Sequence, residues 1–252
     1  VPQVIDQAIC IRHWDFSETS QTVSLFGREQ GILRGLAKGA KRVGGRFSGG
    51  IDLLTRGQIV AIVKPGRELA TLTDWTLERT WRSLRSELGS NQAAYFMADV
   101  VQRMLPVGDP HPRLFDCFCR ALDAIEDGST AAHVVLLFQW TALDDLGYRP
   151  RVEDATSVLG GGTDEPIAFF PDDGRVGPAT GAGWRVRPST VEVLVRIAAA
   201  LDEDDHAAAL ALVDAAKPEA QQRANRLLAA YLRHIVGAPM ETMRALFPEL
   251  GH

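Results

Sequence analysis

Polar and apolar positions interleave along Gln7-Ala-Ile-Cys-Ile-Arg-His13 and Thr22-Val-Ser-Leu-Phe26, a pattern that predicts half-buried strands. A third strand, Ile32–Ala37, follows the turn signal Gln30-Gly31. Gln58–Val63 is a short apolar run stopped by Pro65-Gly66, and Leu69–Leu77 is rich in β-branched residues. Five short strands in so short a stretch predict a small closed barrel rather than an open sheet with bare edges. From Trp81 the period becomes helical. Ser90 is placed to cap a helix from Asn91 to Leu105, and further helices are predicted over Arg113–Asp127, Ala131–Leu146, Ser189–Leu201 and from Pro218 to Val236. Residues 148–188 break the rhythm, being Gly- and Pro-rich with only brief apolar patches such as Ile167-Ala-Phe-Phe170. The expected fold class is α+β. Residues 1–80 form a five-stranded barrel, and residues 81–252 form a helical domain with an irregular insert at 148–188.

The connection between the third and fourth strands carries the chemistry. From Gly35 to Gly50 it holds six glycines with Lys38, Lys41, Arg42 and Arg46, and no acidic residue. Such a backbone approaches a surface closely, and its cations suit a polyanion because each neutralised phosphate releases condensed counterions. Over Gly31–Arg67 eight cations, Arg34, Arg56, Lys64 and Arg67 among them, face only Asp52. The net charge of -5 conceals this asymmetry: residues 1–80 carry +3 and the remainder -8. Local field rather than overall charge decides where a phosphate chain settles. Phe47, flanked by Arg46 and glycines, is the favoured aromatic for stacking on a base, with Trp14 a weaker one. Phe26 and Trp75 read as barrel core.

Other chemistries find little support. The glycine spacing of Gly39–Arg46 resembles a phosphate-binding loop, but Gly45 stands where its lysine belongs and no Ser or Thr follows to hold magnesium. Cys117 and Cys119, two apart on a helix, diverge and read as small buried residues. Asp202-Glu-Asp-Asp205 reads as a solvated connector. No residue argues for an enzyme. Three cysteines without framework spacing predict a reducing, cytoplasmic setting, and no apolar run approaches the ~20 residues of a membrane span.

Taken in order, several segments resemble the RecO family of bacterial DNA repair and recombination mediators. They are Ala8-Ile-Cys-Ile-Arg12, Phe16-Ser-Glu-Thr-Ser20, Leu25-Phe-Gly-Arg-Glu-Gln-Gly31, Ala37-Lys-Gly-Ala-Lys-Arg42 and Arg46-Phe47. The likeness continues through Leu84-Arg-Ser-Glu-Leu88, Leu105-Pro-Val-Gly-Asp-Pro110, Leu143-Asp-Asp-Leu-Gly-Tyr-Arg-Pro150 and Leu227-Leu-Ala-Ala-Tyr-Leu-Arg-His234. The resemblance implies an OB-fold barrel, a helical domain with a zinc-binding insert, and a cytoplasmic, nucleoid-associated protein. It implies binding of single- and double-stranded DNA and annealing without ATP. The partners implied are RecR, the acidic C-terminal tail of the single-stranded DNA-binding protein and, indirectly, RecA. The family's basic residues fall on Lys38, Lys41, Arg42 and Arg46; local charge adds Arg34 and Arg56. One departure stands out: Arg151–Arg187 contains neither cysteine nor histidine, so zinc is expected to be absent and the insert held by packing or partly disordered. Two rival readings remain. One is an adaptor whose basic loop docks acidic protein segments, and the other a nuclease built on Asp202–Asp205.

Overall fold

The computed structural model describes residues 3–42, 45–47, 49–155, 167–179 and 181–250. Strands lie at all five expected positions: β1 Gln3–Asp15, β2 Gln21–Gly27, β3 Gly31–Ala37, β4 Thr55–Ile62 and β5 Ala70–Thr80. They pair in the order β1-β2-β3-β5-β4, and β4 returns to β1 to close the barrel. Only the β3–β5 seam is parallel, and it spans just Gly35–Ala37 against Ala70–Leu72. Beyond it the wall is continued by the loop after β3, where the Arg46 carbonyl accepts from the Trp75 amide at 3.4 Å. The interior is filled by Ala8, Cys10, Leu25, Ile59, Leu72 and Trp75 among others. A register skip between Cys10 and Arg12 bends β1, as bulges do.

Helices α1 Ser83–Ser86, α2 Leu88–Met104 and α3 Pro112–Glu126 complete the first of two compact units, Val1–Glu126. Apolar packing joins them to the outside of the barrel, with Phe26 meeting Phe115 edge-on at 5.5 Å. Charged groups fix the register of that packing. Arg28 grips Asp116 with two bonds of 2.9 Å, Arg12 reaches the buried Asp99 at 2.7 Å, and the indole of Trp81 donates to Asp123 at 2.8 Å. Ser90 is not the expected cap. It lies inside α2, and its hydroxyl donates to Glu87 at 3.1 Å.

The second unit, Asp127–His252, contains α4 Ala131–Asp145, α5 Pro188–Asp202, α6 His206–Ala215, α7 Pro218–Val236 and α8 Glu241–Leu246. Pro218 opens α7 at its first turn, and Gly237 closes it with φ +67°, a conformation that costs a glycine little. Inside, the Gln139 amide donates to Asn225 at 2.6 Å between α4 and α7.

The expected fold class needs correction. The barrel is not a freestanding five-stranded module, because its narrow seam is completed by the β3–β4 loop and its outer face by α2 and α3. Nor is the insert irregular where it is described. Strands β6 Ile167–Phe170, β7 Arg175–Pro178 and β8 Trp184–Val186 form an antiparallel sheet in the order β7-β6-β8. Composition concealed this because the strands are three or four residues long and their apolar partners are remote in sequence. Thr156 and Gly160–Gly162, which stand where zinc thiolates would be expected, lie outside the described residues, as do Val43, Gly44 and Ser48 of the basic stretch.

Candidate nucleic-acid interface

The connection from β3 to β4 is tethered at many points rather than loose. Ala40, Phe47 and Ile51 are buried in the barrel cluster. Tight turns return the chain, the Arg42 amide bonding Gly39 and the Gly45 amide bonding Arg42 at 3.1 and 3.2 Å. The β1–β2 hairpin braces the loop from one side. The Lys41 amide donates to Thr19 at 3.1 Å, the Gly39 amide to the Ser20 hydroxyl at 3.2 Å, and the Ile51 amide to Gln21 at 3.0 Å. Gly39 adopts φ +69°, which suits its place in the first of these turns.

With its apolar side chains drawn inward, the loop turns its charges out. Lys38, Arg42 and Arg46 are exposed, as is Arg34 on the outer face of β3. Among the described residues no ion pair involves any of the four. Lys41 differs: its ammonium sits 2.6 Å from Asp15, and that hydrogen bond holds the Asp15 carboxyl below its ordinary range. Lys64 and Arg67, in the exposed β4–β5 turn, add charge next to the strand that pairs with β3.

Two of the expected site residues are placed elsewhere. Phe47 is 4% exposed and belongs to the barrel interior, so it offers no face to a base. Its apolar ring outcompeted its basic neighbours for burial. Arg56 lies on β4, opposite Ile9 of β1 and Arg79 of β5, and pairs with Glu78 at 3.7 Å. It is also close enough to Cys119 of α3 to oppose the upward pull of burial on that thiol. Arg56 therefore belongs to the barrel–helix packing, not to the loop. Among the described residues of the first unit, the exposed aromatics are instead Trp14, at 52%, and Phe16, at 63%. Phe16 was passed over for stacking, although an aromatic followed by Ser17, Glu18 and Thr19 has few apolar neighbours in the chain and for that reason points to exposure.

Elsewhere the candidate groups are engaged. Asp205 caps α6 by accepting from the Ala208 amide at 2.8 Å, and Asp202 takes both Arg149 nitrogens at 2.6 and 2.8 Å. Cys117 and Cys119 are buried on α3. Among the described residues no three His, Cys, Asp or Glu side chains converge as metal ligands, and no helix is long and apolar enough to cross a membrane.

Nor does the insert offer a zinc site. A tetrahedral structural site needs four nitrogen or sulfur donors, and Arg151–Arg187 has no cysteine or histidine. Where described, the small sheet is organised by rings: Phe169 lies 4.9 Å from Tyr231 and 5.8 Å from Trp184, and Arg175 stacks over Phe170 at 4.1 Å. These residues do not fit zinc.

Comparison with known proteins accords with this architecture. Residues 2–81 match the family model for the recombination protein O N terminal region, and residues 85–244 match the one for its C terminal region. A DNA repair protein RecO of Anaeromyxobacter sp. is 29% identical over 94% of this chain and 93% of its own length. That of Salinibacter ruber is 32% identical, with 69% and 67% covered. The RecO of Rhodopirellula baltica is 37% identical, but the match spans only 59% of this chain and 55% of that protein. The chain belongs to the RecO family, whose members serve DNA repair and recombination as mediators rather than catalysts.

Proposed function

We propose that the β3–β4 loop binds the phosphate backbone of single- and double-stranded DNA without reading sequence, and that the protein anneals complementary strands without a nucleotide. The observation that carries this is the outward set Lys38, Arg42 and Arg46 on a loop tethered by Ala40, Phe47 and Ile51, with Arg34 on the adjoining strand. Two strands repel each other; cations held on one rigid surface lower that repulsion and leave base edges free to pair. No chemical step is needed. In the cell this activity would act with RecR to help load RecA onto strands coated by single-stranded DNA-binding protein.

A separate feature suits that protein's acidic tail. In the second unit a groove of about 280 Å³ is lined by Pro239, Met240, Met243 and Leu250 together with Arg233 and Arg244. Its two arginines, of which Arg244 also meets Glu241 at 3.1 Å, suit an acidic segment, and its apolar floor would take any apolar side chain on it.

The test is Arg42→Glu with Arg46→Glu. This double variant should weaken binding to unrelated oligonucleotides by about tenfold or more and flatten the salt dependence by about 2 in slope. Wild-type annealing should proceed without nucleotide or metal. Unchanged affinity and slope would remove the loop from the interface. Binding to an acidic peptide but to no oligonucleotide would favour the adaptor reading.

A further inference from the structure

We infer that Trp14 and Phe16 form a base-stacking platform beside the phosphate-binding loop, which makes this face selective for single-stranded DNA. The inference rests on the phosphate-binding reading above and adds to it the chemical class of strand preferred. Large aromatics are usually buried, yet these two are 52% and 63% exposed within three positions of each other. The hairpin that carries them is held by its own backbone bonds. Trp14 pairs with Thr22 in the ladder, and the Phe16 and Ser17 amides both bond the Ser20 carbonyl, at 2.9 and 3.2 Å.

The same hairpin is bonded to the basic loop through Thr19, Ser20 and the Asp15–Lys41 ion pair. Register extends the surface, since Trp14 lies in a row with Thr22 and Leu36 on the outer wall, next to the row in which Arg34 is exposed while Arg12 and Ser24 turn to Asp99 and Gln102 of α2. Rings and cations thus share one side of the barrel. A nucleic acid meets that combination fully only when its bases are unpaired. In a duplex the base faces are already stacked on one another, whereas a single strand can offer them to rings while its phosphates meet Lys38, Arg42 and Arg46. Asp15 between the rings is paired with Lys41, and the cations of the adjoining loop select this occupant over a neutral apolar partner.

The experiment compares wild type, Trp14→Ala, Phe16→Ala and the double variant on three labelled probes: oligothymidylate, an abasic strand of equal length, and a duplex. Each single substitution should weaken oligothymidylate binding by about five- to tenfold, and the double variant by more. Duplex and abasic affinities should hold within twofold. Trp14 emission should be quenched on oligothymidylate, and Trp14→Phe should keep the affinity while losing that quench. Equal losses on all three probes, or no loss on any, would overturn the inference while leaving phosphate binding intact. Failure of wild type to bind any probe at low salt would instead remove the reading on which it rests.

Discussion

The β3–β4 loop and the insert around β6–β8 are both glycine-rich, and from composition both read as loose. In structure they differ. The loop has no ladder of its own and takes its order from three apolar side chains lodged in a barrel formed by other elements. The insert makes its own three-stranded sheet and then lays Phe169 against Tyr231. The first solution leaves Lys38, Arg42 and Arg46 facing outward; the second engages Arg175 locally, over Phe170 and near Asp173. Glycine content therefore says where a backbone bends. The interleaved apolar residues say whether it is held.

Substituting the anchors tests this contrast most severely. Phe47→Ala should cost about 3–5 kcal/mol in chemical denaturation and lower DNA affinity as well, because the cations lose their platform. Phe169→Ala, which is fully buried, should cost a similar amount and leave DNA affinity unchanged. A nearly neutral Phe47→Ala would mean that the loop is not held by burial.

Glycine replacements sharpen the distinction. Gly174 and Gly39 share φ near +68°, so alanine strains both backbones. At Gly174 a Cβ would also stand 3.0 Å from the Tyr231 hydroxyl, whereas at Gly39 the nearest atom is a flexible part of Arg42 at 3.5 Å. Gly174→Ala should cost about 2 kcal/mol and Gly39→Ala about 1, read as midpoint shifts.

Electrostatic changes come next. Asp15→Asn releases Lys41 and should raise affinity for any oligonucleotide a few-fold, with a steeper salt slope. An unchanged slope would show that Lys41 takes no part.

The smallest effect concerns acid stability. Glu126 accepts from the Ser83 amide at 2.8 Å and from its hydroxyl at 2.7 Å, which lowers its pKa. A carboxyl lowered on folding stabilises above its unfolded pKa, and that contribution fades as pH falls through the folded value. Glu126→Gln should therefore flatten the stability profile below about pH 4.5 and leave its shape near neutrality alone.

Much of the candidate site could be read from the chain. Lys38, Arg42 and Arg46 face outward as their polarity requires, and Arg34 sits at an outward position of β3. The aromatic assignment failed for a specific reason. Phe47 was judged by its basic neighbours in sequence, whereas its position was decided by the barrel cluster beneath it. Arg56 failed in the same way, since proximity in the chain to the loop did not survive β4 turning toward Glu78 and Cys119.

The amino-acid order by itself determined where the barrel strands and the longer helices lie and which segment concentrates positive charge, because periodicity, glycine, proline and charge act over a few residues. Tertiary structure alone decided that Phe47 goes in while Trp14 and Phe16 stay out, that Asp15 claims Lys41, and that the insert closes into a sheet beside Tyr231. Each of those outcomes depends on cross-strand register or on burial against a remote element, and such partners meet only once the chain has folded.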